Sequence, residues 1–316
     1  MPSTPEFFQS PPATAADRRA ELAQGLMLPA PQIAPKFLYD ALGSKLFEAI
    51  TELDEYYPTR TEAAIFERHL DALAQACGFG HTLVDLGAGN CAKAERLFGA
   101  LRPSRYVAVD IASDFLLGAL SELQSRHPQL PMWGLGLDFT AALELPPQVG
   151  HGTRLMFYPG SSIGNFTPEA AAAFLGRLRA AAPGGALLIG VDLVKPAARL
   201  EAAYDDALGV TAAFNLNLLR HVNRLLGSDF DVRQWRHVAL YDAGQARIEM
   251  HLEARCDLQV RWPGGTLSRR TGERVHTENS YKYSVEGFDR LLRRAGYTDA
   301  RCWTDPQGEF ALFVAH

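Results

Sequence analysis

The segment Val84-Asp85-Leu86-Gly87-Ala88-Gly89-Asn90 closes an apolar run and carries two glycines one residue apart. Glycines at the end of a buried strand let a ligand approach the backbone at the carboxyl edge of a sheet, where doubly wound folds bind nucleotides. A dinucleotide fingerprint places a third glycine at position 92, but that residue is Ala92. Two more acids stand at comparable points downstream: Asp110 ends the next apolar run, and Asp138-Phe139 ends the one after it. Asp110 can accept hydrogen bonds from both hydroxyls of a ribose. At Asp138-Phe139 a carboxylate can take an adenine amino group while a ring stacks on the base. One acid at each of three strand ends, with a short glycine turn and no phosphate-binding lysine, suits a nucleoside without phosphates. S-adenosylmethionine (SAM) fits, since its sulfonium and amino groups favour an acidic pocket; NAD fits less well. The competing interpretation is a generic α/β turn with solvated aspartates.

A second group of residues is ambiguous on chemistry alone. Glu278 and Ser280 stand at i and i+2 of a strand pattern, so both side chains face one side. A carboxylate and a hydroxyl there can partner the two nitrogens of an imidazole, or they can line a solvent-facing strand edge. Asn165, in Gly160-Ser161-Ser162-Ile163-Gly164-Asn165, can donate to a carboxylate or can be an ordinary turn residue. Tyr204 can do the same or can be half-buried helix packing. Tyr39 and Tyr56 are equally open, and Met250 alternates with Ile248 and Leu252 as a core face would. The nine histidines include no H-x-x-x-H or H-E-x-x-H pair, so no metal set is expected, and no nucleophile triad stands out.

These residues need a scaffold, and the chain alternates strand and helix patterns to supply one. HTLVDLGAGN, RYVAVDI, MWGLGLDF, RLMFYPGSSIGNF and ALLIGVDLV read as five buried strands. Helices are expected over Lys93–Leu101 and from Asp114 to about Arg126, and another opens at Thr167-Pro168 and stops at Pro183-Gly184-Gly185. Thr59-Arg60-Thr61-Glu62 matches a capping box before a further helix. The fold class is therefore α/β, a doubly wound, Rossmann-like parallel sheet. After Lys195-Pro196 the pattern changes to a long helix with Leu218, Leu219, Val222, Leu225 and Leu226 on one stripe. Antiparallel candidates follow: WRHVALY, ARIEMHLEAR, DLQVRW and HTENSYKYS. DARCWTD and FALFVAH complete the sheet as an antiparallel edge hairpin. The expected organisation is a flexible N-terminus over 1–16, a SAM-binding domain over 61–195 plus 284–316, and a discontinuous substrate-binding domain over 17–60 plus 196–283.

Composition limits the partners. Lys+Arg 31 against Asp+Glu 36 gives a net charge of −5, and no basic cluster is present, so nucleic acid is not expected. The four cysteines form no C-x-x-C pair and read as reduced thiols. The opening lacks a basic segment followed by an apolar one, and no stretch reaches the ~18 apolar residues of a membrane span. A cytoplasmic monomer with no membrane association is expected.

Several long blocks then resemble one family, in family order and over nearly the whole chain from about Pro35: KFLYDALGSKLFEAITELDEYYPTRTE, LVDLGAGNCAK, GSSIGNFTP, DLVKPAARLEAAYDDALGVTAAFN, RIEMHL, HTENSYKY and WTDPQGEFAL. The chain resembles the histidine-specific SAM-dependent methyltransferases, typified by methylation of the α-amino group of L-histidine in ergothioneine biosynthesis. The resemblance implies a class I methyltransferase sheet that binds SAM through Gly87, Lys93, Asp110, Asp138 and Phe139. It implies that Asn165 and Tyr204 hold the amino-acid carboxylate, that Gly160 in the same loop as Asn165 is a substrate-binding residue, and that Tyr56, Glu278 and Ser280 read the imidazole. Met250 becomes a pocket wall, and Tyr39 lies beside the substrate amine as the candidate catalytic residue. It also implies three successive methylations, to the betaine hercynine. Local departures are Ser161-Ser162, where some members have Ser-Thr, and Asn279-Ser280-Tyr281 in a variable stretch.

Four rivals compete with this reading. A relative acting on a tryptophan derivative is disfavoured by Glu278 and Met250, since an indole wants a larger, less acidic pocket. A nucleic-acid methyltransferase is disfavoured by Tyr158-Pro159-Gly160-Ser161, which lacks the Asn/Asp-Pro-Pro-aromatic element, and by the net acidity. Ala92 counts against an NAD-dependent dehydrogenase. A non-catalytic adenosine-binding regulator is distinguished only by turnover.

Overall fold

The computed structural model describes residues 5–9, 14–140, 143–150 and 152–316. The chain forms two compact units, Met1–Ser10 with Pro58–Val194 and Lys282–His316, and Pro11–Tyr57 with Lys195–Tyr281. In chain order the strands are β1 (Glu6–Gln9), β2 (Thr82–Leu86), β3 (Arg105–Asp110), β4 (Met132–Gly136), β5 (Arg154–Tyr158) and β6 (Ala186–Asp192) of the first unit. The second unit contributes β7 (Trp235–Asp242), β8 (Arg247–Ala254), β9 (Leu258–Trp262), β10 (Gly265–Arg269) and β11 (Arg274–Tyr281). β12 (Ala300–Thr304) and β13 (Phe310–Ala315) return to the first.

The first unit is an eight-stranded sheet in the order β1-β4-β3-β2-β5-β6-β13-β12. β1 through β6 pair in parallel, and β13 lies antiparallel to both β6 and β12. β2, β4 and β6 are buried along their whole length, as strands covered on both faces must be, and this explains their continuous apolar runs. The helix Ser113–Arg126 turns Leu116, Leu120 and Leu123 onto the core at four- and three-residue spacing. Thr167 caps Pro168–Ala181 by accepting the Ala170 N–H, with Pro168 at the first helical position. Strand order reverses at β2, from β3 and β4 on one side to β5 and β6 on the other, which places the ligand crevice at the β2 carboxyl end.

Three local expectations are corrected. The helix expected over Lys93–Leu101 is broken into Ala92–Glu95 and Phe98–Leu101. The helix expected to start at a Thr59 capping box already begins at Tyr57, so Glu62 lies inside it and its carboxylate is spent elsewhere. Within the stretch expected to be flexible, Glu6–Gln9 extends the sheet beside β4, and Thr14 caps a helix from Ala15 to Leu26; residues 1–4 and 10–13 lie outside the described residues. β1 fits because Gly134 and Gly136 leave room: a Cβ at Gly134 would stand 2.5 Å from the Phe7 ring.

The second unit builds a three-stranded antiparallel sheet, β11-β8-β7, and a hairpin, β9–β10. Asp242 closes the β7–β8 turn by accepting the Gly244 and Gln245 N–H groups. β10 has no counterpart among the expected strands: the turn at Pro263-Gly264 lets Gly265 slide beneath the Trp262 ring, where a Cβ would come within 2.5 Å. Helix Val210–Leu226 buries Leu218, Leu219, Val222 and Leu226 beside Trp235, Met250 and Leu252, while Leu225 is only partly covered. Among the described residues no helix is long and apolar enough to cross a membrane.

Candidate active site

In the first unit, the glycine turn after β2 is latched to the neighbouring strand. Gly87 N–H and Ala88 N–H both donate to the Val109 carbonyl, at 2.8 and 3.1 Å. Asp110, ending β3, accepts the Gly89 N–H at 2.9 Å on one oxygen and the Ala112 N–H at 2.9 Å on the other. Burial raises its carboxyl above the usual carboxylate range, against the pull of those backbone donors. Gly87 and Gly89 adopt φ of 73° and 52°, and a side chain added at Gly89 would meet nothing within 4 Å. The turn thus presents bare backbone to open space. Phe139 borders it, its Cζ 4.0 Å from where a Cβ of Gly87 would stand, and packs edge-on to Tyr158 at 5.9 Å. Asp138 accepts the Thr140 N–H and hydroxyl. An open glycine backbone, an acid at its rim and a ring beside it fit a nucleoside such as SAM.

Of the three strand-end acids, Asp85 departs from expectation. It is 2% exposed, facing the core and not a ligand. Tyr106 donates to its Oδ2 at 2.8 Å, and among the described residues its Oδ1 has no hydrogen-bond partner. Burial, reinforced by the charge of Asp110 and offset by the Tyr106 hydrogen bond and Lys93, pushes its carboxyl up to about 7.

Lys93 donates to Glu62 Oε2 at 2.6 Å, and Gly160 N–H donates to Glu62 Oε1 at 2.7 Å. Glu62 is therefore a site neighbour that sequence reasoning missed, having read it as a helix cap. Gly160 and Ser161, with φ of 74° and 59°, turn the loop after β5 back across the sheet end. The Ser161 hydroxyl accepts the Asp192 N–H at 2.9 Å, and Asn165 ends the short turn that follows, half-buried. Asp192 is itself held by Lys282 at 2.8 Å, both residues almost fully buried.

In the second unit, Tyr204 donates to the Ser280 hydroxyl at 2.7 Å, and Tyr56 packs edge-on against Tyr204 at 6.4 Å. Tyr39 joins the same cluster through Phe47 and Phe214, each with ring centroids 5.6 Å away. Glu278 stands directly opposite Met250 in the β11–β8 ladder, after a bulge between His276 and Glu278 that re-aims the strand. Glu278 is 7% and Ser280 4% exposed, so the solvent-facing alternative for this pair is overturned. Met250, at 2%, is part of the core cluster as well as their neighbour. Behind Tyr204, His237 Nε2 lies 2.8 Å from the Tyr204 carbonyl, which can only accept, so this nitrogen carries the proton. Nδ1 then accepts from Asn215 Nδ2 at 2.9 Å, and burial lowers the imidazole's proton affinity, keeping the ring neutral. No motif in the sequence marks His237 or Asn215 for this role. Among the described residues no group of three His, Cys, Asp or Glu side chains is arranged to hold a metal.

Comparison with known proteins bears on what the two units do. Residues 18–316 match the family model for histidine-specific, SAM-dependent methyltransferases. The chain is 41% identical over 304 residues to the histidine N-alpha-methyltransferase of Mycolicibacterium smegmatis and 40% identical to that of Mycobacterium tuberculosis, with 94% of each chain covered in both cases. It is 33% identical over 286 residues to ergothioneine biosynthesis protein 1 of Neurospora crassa, covering 86% of this chain and 32% of that one. The match to the family model extends through both units. The chain belongs to the histidine-specific, SAM-dependent methyltransferase family.

Proposed function

We propose that the protein is a SAM-dependent L-histidine Nα-methyltransferase that adds three methyl groups to the α-amino nitrogen, giving hercynine, the first step of ergothioneine biosynthesis. Family membership across both units supports the reaction, and the buried pair Glu278–Ser280 supports the side chain recognised. SAM, when bound, supplies a methyl group on a sulfonium, a good leaving group. Gly87, Lys93, Asp110, Asp138 and Phe139 hold it. Little covalent chemistry is then left to the protein, which must align a neutral amine and exclude water.

In this reading Glu278 and Ser280 accept from and donate to the imidazole, with Tyr56 and Met250 as walls. Asn165 and Tyr204 hold the carboxylate by neutral hydrogen bonds, since no arginine is assigned to it, and Gly160, whose N–H is taken by Glu62, borders the substrate. The amine gives up its proton to water before attack; the Tyr39 hydroxyl then accepts an N–H of the neutral amine and aims its lone pair in the first two methylations, the tertiary amine of the third having no N–H left. A phenylalanine substrate offers Glu278 no donor, and such a mismatch reaches ~10⁴-fold in discrimination. The proposal takes the protein to act as a cytoplasmic monomer on a free amino acid, with the acidic net charge and unpaired cysteine spacing as support.

The test is a mass-spectrometric methylation assay with SAM and a panel of free amino acids, wild type beside Glu278→Ala. Histidine alone should gain three methyl masses, and the variant should lose that preference. Turnover of tryptophan instead would keep fold and cofactor and discard the pocket assignment. SAM binding with no turnover would favour an adenosine-binding regulator.

A further inference from the structure

Glu62 is almost fully buried, its side chain 1% exposed, yet it belongs to none of the groups assigned above to SAM or histidine. A buried carboxylate is costly unless both oxygens are occupied. Here they are occupied by two different pieces of the candidate site. Oε2 takes the Lys93 ammonium at 2.6 Å, and Oε1 takes the Gly160 N–H at 2.7 Å. Lys93 follows the glycine turn of β2, and Gly160 opens the loop after β5, so one side chain from the helix Tyr57–Cys77 ties two separate segments together. The two are packed close: a Cβ at Gly160 would stand 3.1 Å from Lys93 Nζ.

The sheet is also shaped around this carboxylate. A Cβ at Gly190, in β6, would lie 2.1 Å from Glu62 Oε1, and no side chain fits there while Glu62 keeps its position. Lys93 is 38% exposed, so its remaining N–H groups stay available on the open side.

We infer that Glu62 is a positioning residue for methyl-donor binding: it fixes the Lys93 ammonium, and with it the Gly160 end of the acceptor loop, in the geometry that receives an anionic group of SAM. This rests on the proposed reading of Lys93 as a SAM contact. A mere strut between helix and sheet would need no charge at this point, and that difference makes the two accounts separable.

Glu62→Gln preserves size and one acceptor oxygen, so it can keep Gly160 or Lys93 but not both. The measurement is SAM affinity by titration calorimetry for wild type, Glu62→Gln, Lys93→Met and the double variant, with melting temperatures alongside and with KM for SAM and kcat from the methylation assay. Loss of a charge-assisted hydrogen bond predicts SAM binding weaker by ~10- to 100-fold in Glu62→Gln. KM for SAM should rise by more than kcat falls, and Glu62→Gln should have no further effect on SAM affinity once Lys93 is replaced by methionine. If Glu62→Gln does not fold, Glu62→Asp, which keeps the charge but withdraws it by one methylene, takes its place with the same non-additivity expected. Wild-type SAM affinity in a Glu62 variant that only melts earlier would overturn the inference and leave the proposed function intact. Equal, additive losses in the cycle would also overturn it. Absence of SAM binding by the wild type would sink both.

Discussion

Replacing Asp85 by asparagine should stabilise the protein in a pH-dependent way. Asp85 is wholly buried, and its carboxyl is raised from an ordinary 3.8 to about 7, mainly by burial. A carboxyl raised in the folded state stays protonated there while the unfolded chain has already ionised, so the folded state binds more protons between pH 4 and 7. Stability from this group is therefore fully present below about pH 4 and is lost as pH rises towards 7. At about 1.4 kcal/mol per tenfold in proton affinity, the full loss is about 4 kcal/mol, of which about 3 kcal/mol falls between pH 5 and 8. The amide introduced by Asp85→Asn cannot ionise but keeps an oxygen to accept the Tyr106 hydroxyl, now 2.8 Å from Asp85 Oδ2. Urea unfolding of both proteins at pH 5 and pH 8 isolates the effect, because all other titrating groups cancel in the difference. The stability of Asp85→Asn relative to wild type should rise by about 3 kcal/mol from pH 5 to pH 8. A gap of the same size at both pH values would refute the reasoning, showing that the carboxyl ionises normally or is reached by water.

Two further substitutions address the second unit. His237→Phe removes the N–H aimed at the Tyr204 carbonyl, and losing a buried donor of this kind costs about 1–3 kcal/mol. KM for histidine should rise about tenfold or more while SAM affinity stays unchanged in a titration; an unaltered KM would mean that Tyr204 is held without it. Tyr39→Phe keeps the ring contacts with Phe47 and Phe214 and deletes only the hydroxyl. It should slow the first two methyl transfers in single-turnover mass spectrometry by about tenfold or more, as misalignment of a reacting pair does. Unchanged rates at both of those stages would remove Tyr39 from the steering role.

Much of the scaffold is legible in the sequence, because local rules govern it. Buried parallel strands must be apolar throughout, so five of them declare themselves. The glycine turn after β2 needs positive φ, which Gly87 and Gly89 supply, and Thr167-Pro168 marks a helix start by chemistry confined to four residues. Family resemblance then names side chains that spacing alone leaves ambiguous. Where local rules compete, the sequence misleads: Glu62 satisfies a capping pattern, but an ion pair with Lys93 and the Gly160 N–H claim it instead. β1 and β10 are short, and each depends on a glycine yielding to a distant or neighbouring ring, Phe7 over Gly134 and Trp262 over Gly265.

Burial and pairing at long range belong to the tertiary structure alone. Asp85 and Asp110 look alike as strand-end acids, yet one faces Tyr106 in the core and the other organises the glycine turn. Glu278 and Ser280 are equally consistent with water or core until the sheet covers them. The tautomer of His237 follows from a carbonyl 33 residues away and an amide 22 residues away. Residue type and spacing set backbone conformation because sterics act over a few bonds. Proton affinity and hydrogen-bond partners depend on the dielectric and donors that the folded chain assembles from segments far apart in sequence.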